Sequence, residues 1–148
     1  MRFLMPNHPY EFKLPDEWWV EGRMEGFTPQ SEAYAYPVAE SVIVVPLADV
    51  QPLRRNVEKD WRGFDRGRMI SILQGIASKK EIPAIDVIDL TCNHHPKPQF
   101  RYALSGGFHR FHASIAVGFR SIPAIVRPDL DAFFLAEGEM QSQSHRDT

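Results

Sequence analysis

The sequence predicts an α/β (α+β) fold, a small mixed β-sheet with packed helices, and three observations lead to it. Ser41-Val42-Ile43-Val44-Val45 is an apolar, β-branched run closed by Pro46, as a buried strand is. Met69, Ile72, Leu73 and Ile76 recur at helical spacing behind Asp65, a residue suited to cap a helix. Arg101 to Ala113 reads as a strand that passes through Gly106 and Gly107 into a second helix. Strands and helices thus interleave within 148 residues, the size of one ordinary domain.

The elements follow in order. Residues 1–40 hold Pro6, Pro9, Pro15, Pro29 and Pro37 with scattered aromatics and no sustained period, and read as an irregular arm. A short helix is expected from Asp16 to Gly22. Trp18 and Trp19 are too apolar to stay in water, so the arm is expected to wrap onto the core or onto a second subunit. After the strand at 41–45, Leu47 to Asn56 forms a loop ending in Arg54-Arg55. The Asp65-capped helix runs from Arg66 to Lys80, with Lys79 and Lys80 favourably placed at its negative end. Beyond Pro83, Ala84 to Leu90 alternates as a half-buried strand does, Thr91 to Gln99 turns, and Phe100 to Leu104 returns as a hairpin. A helix from Phe108 to Val117 is stopped by Gly118. Ile122 to Val126 is the last strand, and Pro123 places it at a strand start or a sheet edge. Asp129 caps a short helix through Phe133, Phe134 and Leu135, and the polar tail from Gly138 is expected to be disordered. The organisation is an arm at 1–40, a domain at 41–136 and a flexible tail at 137–148.

Composition narrows the function. A hydrophobic fraction of 43% and a charged fraction of 24% are those of a soluble protein, and no apolar run approaches the ~20 residues of a membrane span. The first ten residues lack the pattern of a secretory signal, so cytoplasmic residence is expected. The one cysteine, Cys92, allows no intrachain disulfide. Residues 1–40 carry three Lys or Arg against seven acids, residues 127–148 two against five, and residues 41–126 twelve against seven. A basic centre between acidic flanks suits an anionic ligand, and nucleic acid stays open as a partner without being demanded.

The Gly106-Gly107 turn carries the chemistry. Two glycines let the backbone turn tightly, and the helix beyond them offers N–H groups and the positive end of its dipole to an anion. His109 and Arg110 add donors on the first turn, which makes a phosphate the natural guest. A plain strand-to-helix connection explains the same glycines, and spacing alone leaves both readings open. Cys92-Asn93-His94-His95, with His109 and His112, invites a zinc site, but the spacing matches no common zinc pattern and no metal ligand is assigned. His112 is read as structural. Glu58, Asp60 and Asp65 are acids that could serve as base or hold Mg²⁺, although a helix cap explains Asp65 more simply.

Several spaced segments together resemble the ParB/sulfiredoxin superfamily, across roughly residues 41–136: Val45-Pro46-Leu47, the helix around Ser71, Ile82 to Val87, Phe100 to Gly107, His109-Arg110, Ala113 and Ile122-Pro123-Ala124. The resemblance implies the fold of that superfamily and a nucleotide, ATP or a relative with Mg²⁺, held by Gly106, Gly107, His109 and Arg110. It also implies contacts from Arg68 and Ser71, which stand where sulfiredoxins carry a Lys and a Ser; Gly75 stands where they carry a Thr. Arg54 and Arg55 match a loop that serves phosphate or partner. Phe108 occupies the place of the catalytic cysteine of sulfiredoxins, and a phenyl ring cannot do its sulfur chemistry, which argues against sulfinic acid reduction.

Three functions remain. One is a nucleotide-binding protein that hydrolyses ATP or transfers its phosphate, with His109 and Arg110 as catalytic candidates. Another is a ParB-like DNA-associated protein or nuclease; with no helix-turn-helix expected after Asp129, its DNA contact would be sequence-independent and salt-sensitive. The third is a non-catalytic interaction module that docks a protein partner, or another copy in a homo-oligomer, through the arm.

Overall fold

The computed structural model describes residues 1–7, 9–53, 63–92 and 99–128. In chain order these form β1 (Arg2–Leu4), β2 (Glu11–Lys13), α1 (Asp16–Glu21), β3 (Val42–Pro46), β4 (Val50–Gln51), α2 (Arg66–Ala77), β5 (Ile85–Asp89), β6 (Tyr102–Gly106), α3 (Phe108–Val117) and β7 (Ser121–Arg127). Short 3₁₀ turns cover Leu47–Asp49 and Leu90–Cys92. The fold is mixed α+β as the sequence predicts. Its main sheet has five strands in the order β3-β7-β5-β6-β4. The β3/β7 and β5/β6 pairs are antiparallel, and β5/β7 and β4/β6 are parallel.

The helices form because their apolar stripes match the helical period. Met69, Leu73 and Ile76 of α2 are buried, and the Asp65 carboxylate accepts the Arg68 N–H at 2.8 Å as an N-cap. Ile72, expected on that core face, is only half-buried and sits at its margin, while Ile70 is buried instead. In α3, Phe108, Phe111, His112, Ala113 and Val117 face inward. The two helices pack on one another, and α3 lies on β5 and β7.

Several elements depart from the sequence reading. The arm is less irregular than expected: β1 and β2 pair antiparallel as a separate hairpin, and Phe12, Leu14, Trp18, Met24 and Tyr34 join the single hydrophobic core. Of the two destinations open to the tryptophans, Trp18 goes into this core, and Trp19 packs half-buried at its edge against Phe3. Within the expected loop after Pro46 lies β4, whose two residues pair with Tyr102 and Ala103. The second helix ends at Ala77 rather than Lys80, because Lys79 turns left-handed at φ 59°. The Lys79 and Lys80 N–H groups then close back on the Ile76 and Gly75 carbonyls, the hydrogen-bond pattern of a Schellman motif. Pro123 lies inside β7, an interior strand of the sheet. It is tolerated because it pairs with Val44 on one side only; the pairing with β5 starts at Ala124. The helix expected after Asp129, the tail and most of the turn at 91–99 lie outside the described residues. No helix among the described residues is long and apolar enough to cross a membrane.

Candidate functional site

Helices α2 and α3 begin side by side, and their first turns line a common cleft of about 630 Å³. From α2 come Asp65, Gly67, Arg68, Ser71 and Ile72; from the end of β6 and the start of α3 come Ser105, Gly106, Gly107, Phe108, His109 and Arg110; Leu53 closes one side. The structure therefore brings together Arg68, Ser71, Gly106, Gly107, His109 and Arg110, the residues that the sequence singles out. Two helix N-termini aim their positive ends at one space, a setting suited to an anion.

The two N-termini differ in what fills them. Asp65 caps α2 with its own carboxylate. Gly107, at φ 95°, has no side chain with which to cap α3. Among the described residues Arg68 has no acidic partner; it is exposed and lines the cleft. Asp65 is the sole acid among the described residues that line it.

His109 and Arg110 are both engaged. The backbone N–H of Asp65 donates to His109 Nε2 at 2.8 Å, so that nitrogen carries the lone pair and the imidazole ties the start of α3 to the cap of α2. Arg110 Nη1 donates to the carbonyls of Pro83 at 3.1 Å and Ala84 at 2.8 Å. The Tyr34 hydroxyl donates to the same Pro83 carbonyl at 2.7 Å. Burial pushes that hydroxyl well above its usual range, against the opposing pull of the Arg110 cation. Carbonyl partners orient Arg110 without neutralising it, so its full charge stays at the cleft wall.

The glycines have a reason that the sequence reading did not give. A Cβ on Gly107 would come within 2.6 Å of Ile85 Cγ2, and one on Gly106 within 2.8 Å of Asp86 Oδ2. Both contacts are with β5, not with the cleft; at Gly107 the Cβ would also crowd the Ile85 Cβ and Cα, so packing requires that glycine whether or not a ligand approaches, whereas at Gly106 only the Asp86 carboxylate would have to move. Asp86 itself is held by Arg127 Nε at 2.7 Å. Phe108 is buried, with its ring 5.3 Å from Phe64 and 4.5 Å from His112. It offers no nucleophile and serves as the floor of the turn. His112 is fully buried, its Nδ1 2.9 Å from the Phe108 carbonyl and its ring 4.9 Å from Phe12.

Arg54, Arg55, Glu58 and Asp60 lie outside the described residues, as do His94 and His95; of Cys92 only the backbone is described. Pro83 and Ala84 hold Arg110 through their carbonyls, which no sequence pattern signals, since any residue supplies a carbonyl.

The family model described as the ParB N-terminal domain matches residues 35–139. No curated protein matches the chain. Among solved structures, sulfiredoxin from Arabidopsis thaliana is similar at 22% identity and a TM-score of 0.40, over 62% of this chain and 86% of that one. A C-terminally truncated chromosome-partitioning ParB from Caulobacter crescentus, complexed with CTP-gamma-S, is similar at 18% identity and a TM-score of 0.43. That match covers 66% of this chain and 53%, about half, of the ParB.

Proposed function

The chain belongs to the ParB N-terminal domain family, and we propose that it binds the phosphate chain of a nucleotide, ATP or a close relative, in the cleft between α2 and α3. One observation carries this reading: two helix N-termini, Arg68 and Ser71 converge on a single cleft whose α3 side has no side-chain cap. The N–H groups at the start of α3 would receive phosphate oxygens, each favourable charge there contributing ~0.3–1 kcal/mol and up to ~2 when partly buried. Arg68 would supply a planar pair of donors, Ser71 a hydroxyl, and Arg110 a fixed positive wall. Asp65, on the same cleft, would share a Mg²⁺ with the phosphates, because such ions take one or two carboxylates alongside phosphate oxygens.

Binding is the core of the reading. Hydrolysis or phosphoryl transfer would use the Arg110 charge on the phosphate and His109 as the proton acceptor, once its Nε2 leaves the Asp65 N–H. Titration calorimetry with ATP, ADP and CTP, with and without Mg²⁺, tests binding. The wild type is expected to bind a triphosphate, and Arg68→Ala and Arg110→Ala to bind it at least tenfold more weakly. No binding by the wild type, or equal binding by all three proteins, overturns the reading. Release of inorganic phosphate measured on the same samples decides whether turnover accompanies binding.

A further inference from the structure

The cleft does not end at Ser71. A second cavity of about 790 Å³ shares Ser71, Ile72 and Arg110 with the first and continues along α2 past Gly75 to Ser78. From Arg68 to Ser78 the helix rises ~15 Å, so the two cavities form one long groove. Its far end is lined by Arg23 and Lys80, and of the acids only Glu81 is among its described lining residues.

The cations at this end are not needed as helix caps. Helix α1 closes as α2 does: the Arg23 N–H donates to the Val20 carbonyl at 3.0 Å and the Met24 N–H to the Trp19 carbonyl at 3.1 Å. The closing carbonyls are satisfied by backbone, and among the described residues neither the Arg23 nor the Lys80 side chain has an ion-pair partner, so both cations can face an anion in the cavity. Arg23 also holds the left-handed position, φ 61°, where glycine is the usual residue, as Gly118 is in α3.

We propose that the second cavity receives a second phosphate, carried on the ribose of the nucleotide whose 5′ phosphates sit at the start of α3. This rests on the nucleotide reading above. Arg110, on the wall of both cavities, would feel both groups, and Arg23 and Lys80 would pair with the outer one. A separate phosphate ion has the same chemistry, and the test distinguishes it. Calorimetry compares adenosine 5′-phosphate, adenosine 3′,5′-bisphosphate, and the monophosphate with inorganic phosphate added. The bisphosphate is expected to bind at least tenfold more tightly than the monophosphate, and added phosphate not to close that gap. In Arg23→Gly, which suits the left-handed backbone, and in Lys80→Gln, the gap is expected to shrink several-fold. Equal binding of the pair by a wild type that binds ATP overturns this inference alone, as does a gap untouched by both substitutions or closed by free phosphate. A wild type that binds no nucleotide overturns it together with the reading on which it rests.

Discussion

Helices α2 and α3 open onto the same cleft in opposite ways. The start of α2 is closed on itself: the Asp65 carboxylate takes the Arg68 N–H, and the Asp65 N–H goes to His109. The start of α3 follows a left-handed glycine with no side-chain cap. A capped N-terminus is a structural feature that carries its own negative charge, whereas an uncapped one beside an arginine with no acidic partner among the described residues is a place for another molecule's. The difference shows why a glycine turn and an aspartate cap, both ordinary helix starts in a sequence, have different consequences once they face each other.

The largest expected effect lies at the turn itself. Gly107→Ala combines a φ of 95° with a Cβ 2.6 Å from Ile85 Cγ2. Overpacking and backbone strain together are expected to cost ~3 kcal/mol or more in urea unfolding. Gly118→Ala is the control: its φ is 101°, but the nearest atom to an added Cβ is Pro29 Cγ at 3.7 Å. It should cost only the strain, ~1–2 kcal/mol. If the two variants unfold alike, β5 does not demand the glycine and the turn is explained by conformation alone.

Next comes the charge in the cleft. Asp65→Ala removes the cap of α2 and is expected to cost ~1 kcal/mol of stability. Because it also removes the acid beside Arg68, triphosphate affinity without Mg²⁺ should rise several-fold, while the gain from adding Mg²⁺ should fall. Arg68→Ala should do the reverse to affinity and change stability by no more than ~0.5 kcal/mol, since its side chain is exposed. Calorimetry alongside thermal unfolding separates the two. An Asp65→Ala protein with unchanged affinity in both conditions would mean that its carboxylate acts on the helix alone.

The parts of this arrangement that follow local rules were legible in the sequence. The Asp65 cap, the Gly-Gly turn and Gly118 each depend on neighbours a few residues away and stand where the pattern put them, and the α2 stripe does so at Met69, Leu73 and Ile76, with Ile70 in place of Ile72. What was missed depends on distant partners. Strand β4 has two residues and exists because β6 lies beside it. The β1/β2 hairpin draws its order from Phe12 packing under His112 and Phe64, which no period within the arm reveals. The engagement of Arg110 by Pro83 and Ala84 uses carbonyls, which every residue has. Lys79 and Arg23 take left-handed positions that a sequence reading reserves for glycine.

The smallest effect concerns a second carboxylate that caps a turn as Asp65 does. Asp89, at the end of β5, accepts the Thr91 hydroxyl at 2.5 Å and the Thr91 N–H at 2.9 Å. These bonds, the hydroxyl above all, hold its carboxyl below the usual range against the opposing effect of burial, with Arg101 at 3.8 Å adding to the lowering. The unfolded chain takes up the proton at the ordinary value and the folded chain only at a lower pH. The stabilisation from Asp89 is therefore complete above the ordinary carboxylate range and is lost as pH falls through the lowered value. Asp89→Asn cannot titrate, so the stability difference between it and the wild type reports this one group. That difference should stay flat from pH 7 to about pH 5 and shrink steadily below about pH 4. A difference that holds constant to about pH 3 would show that the Thr91 bonds do not depend on the charge. Asp89 would then act as any hydrogen-bond acceptor does, and its likeness to the charged cap of α2 would be one of shape only.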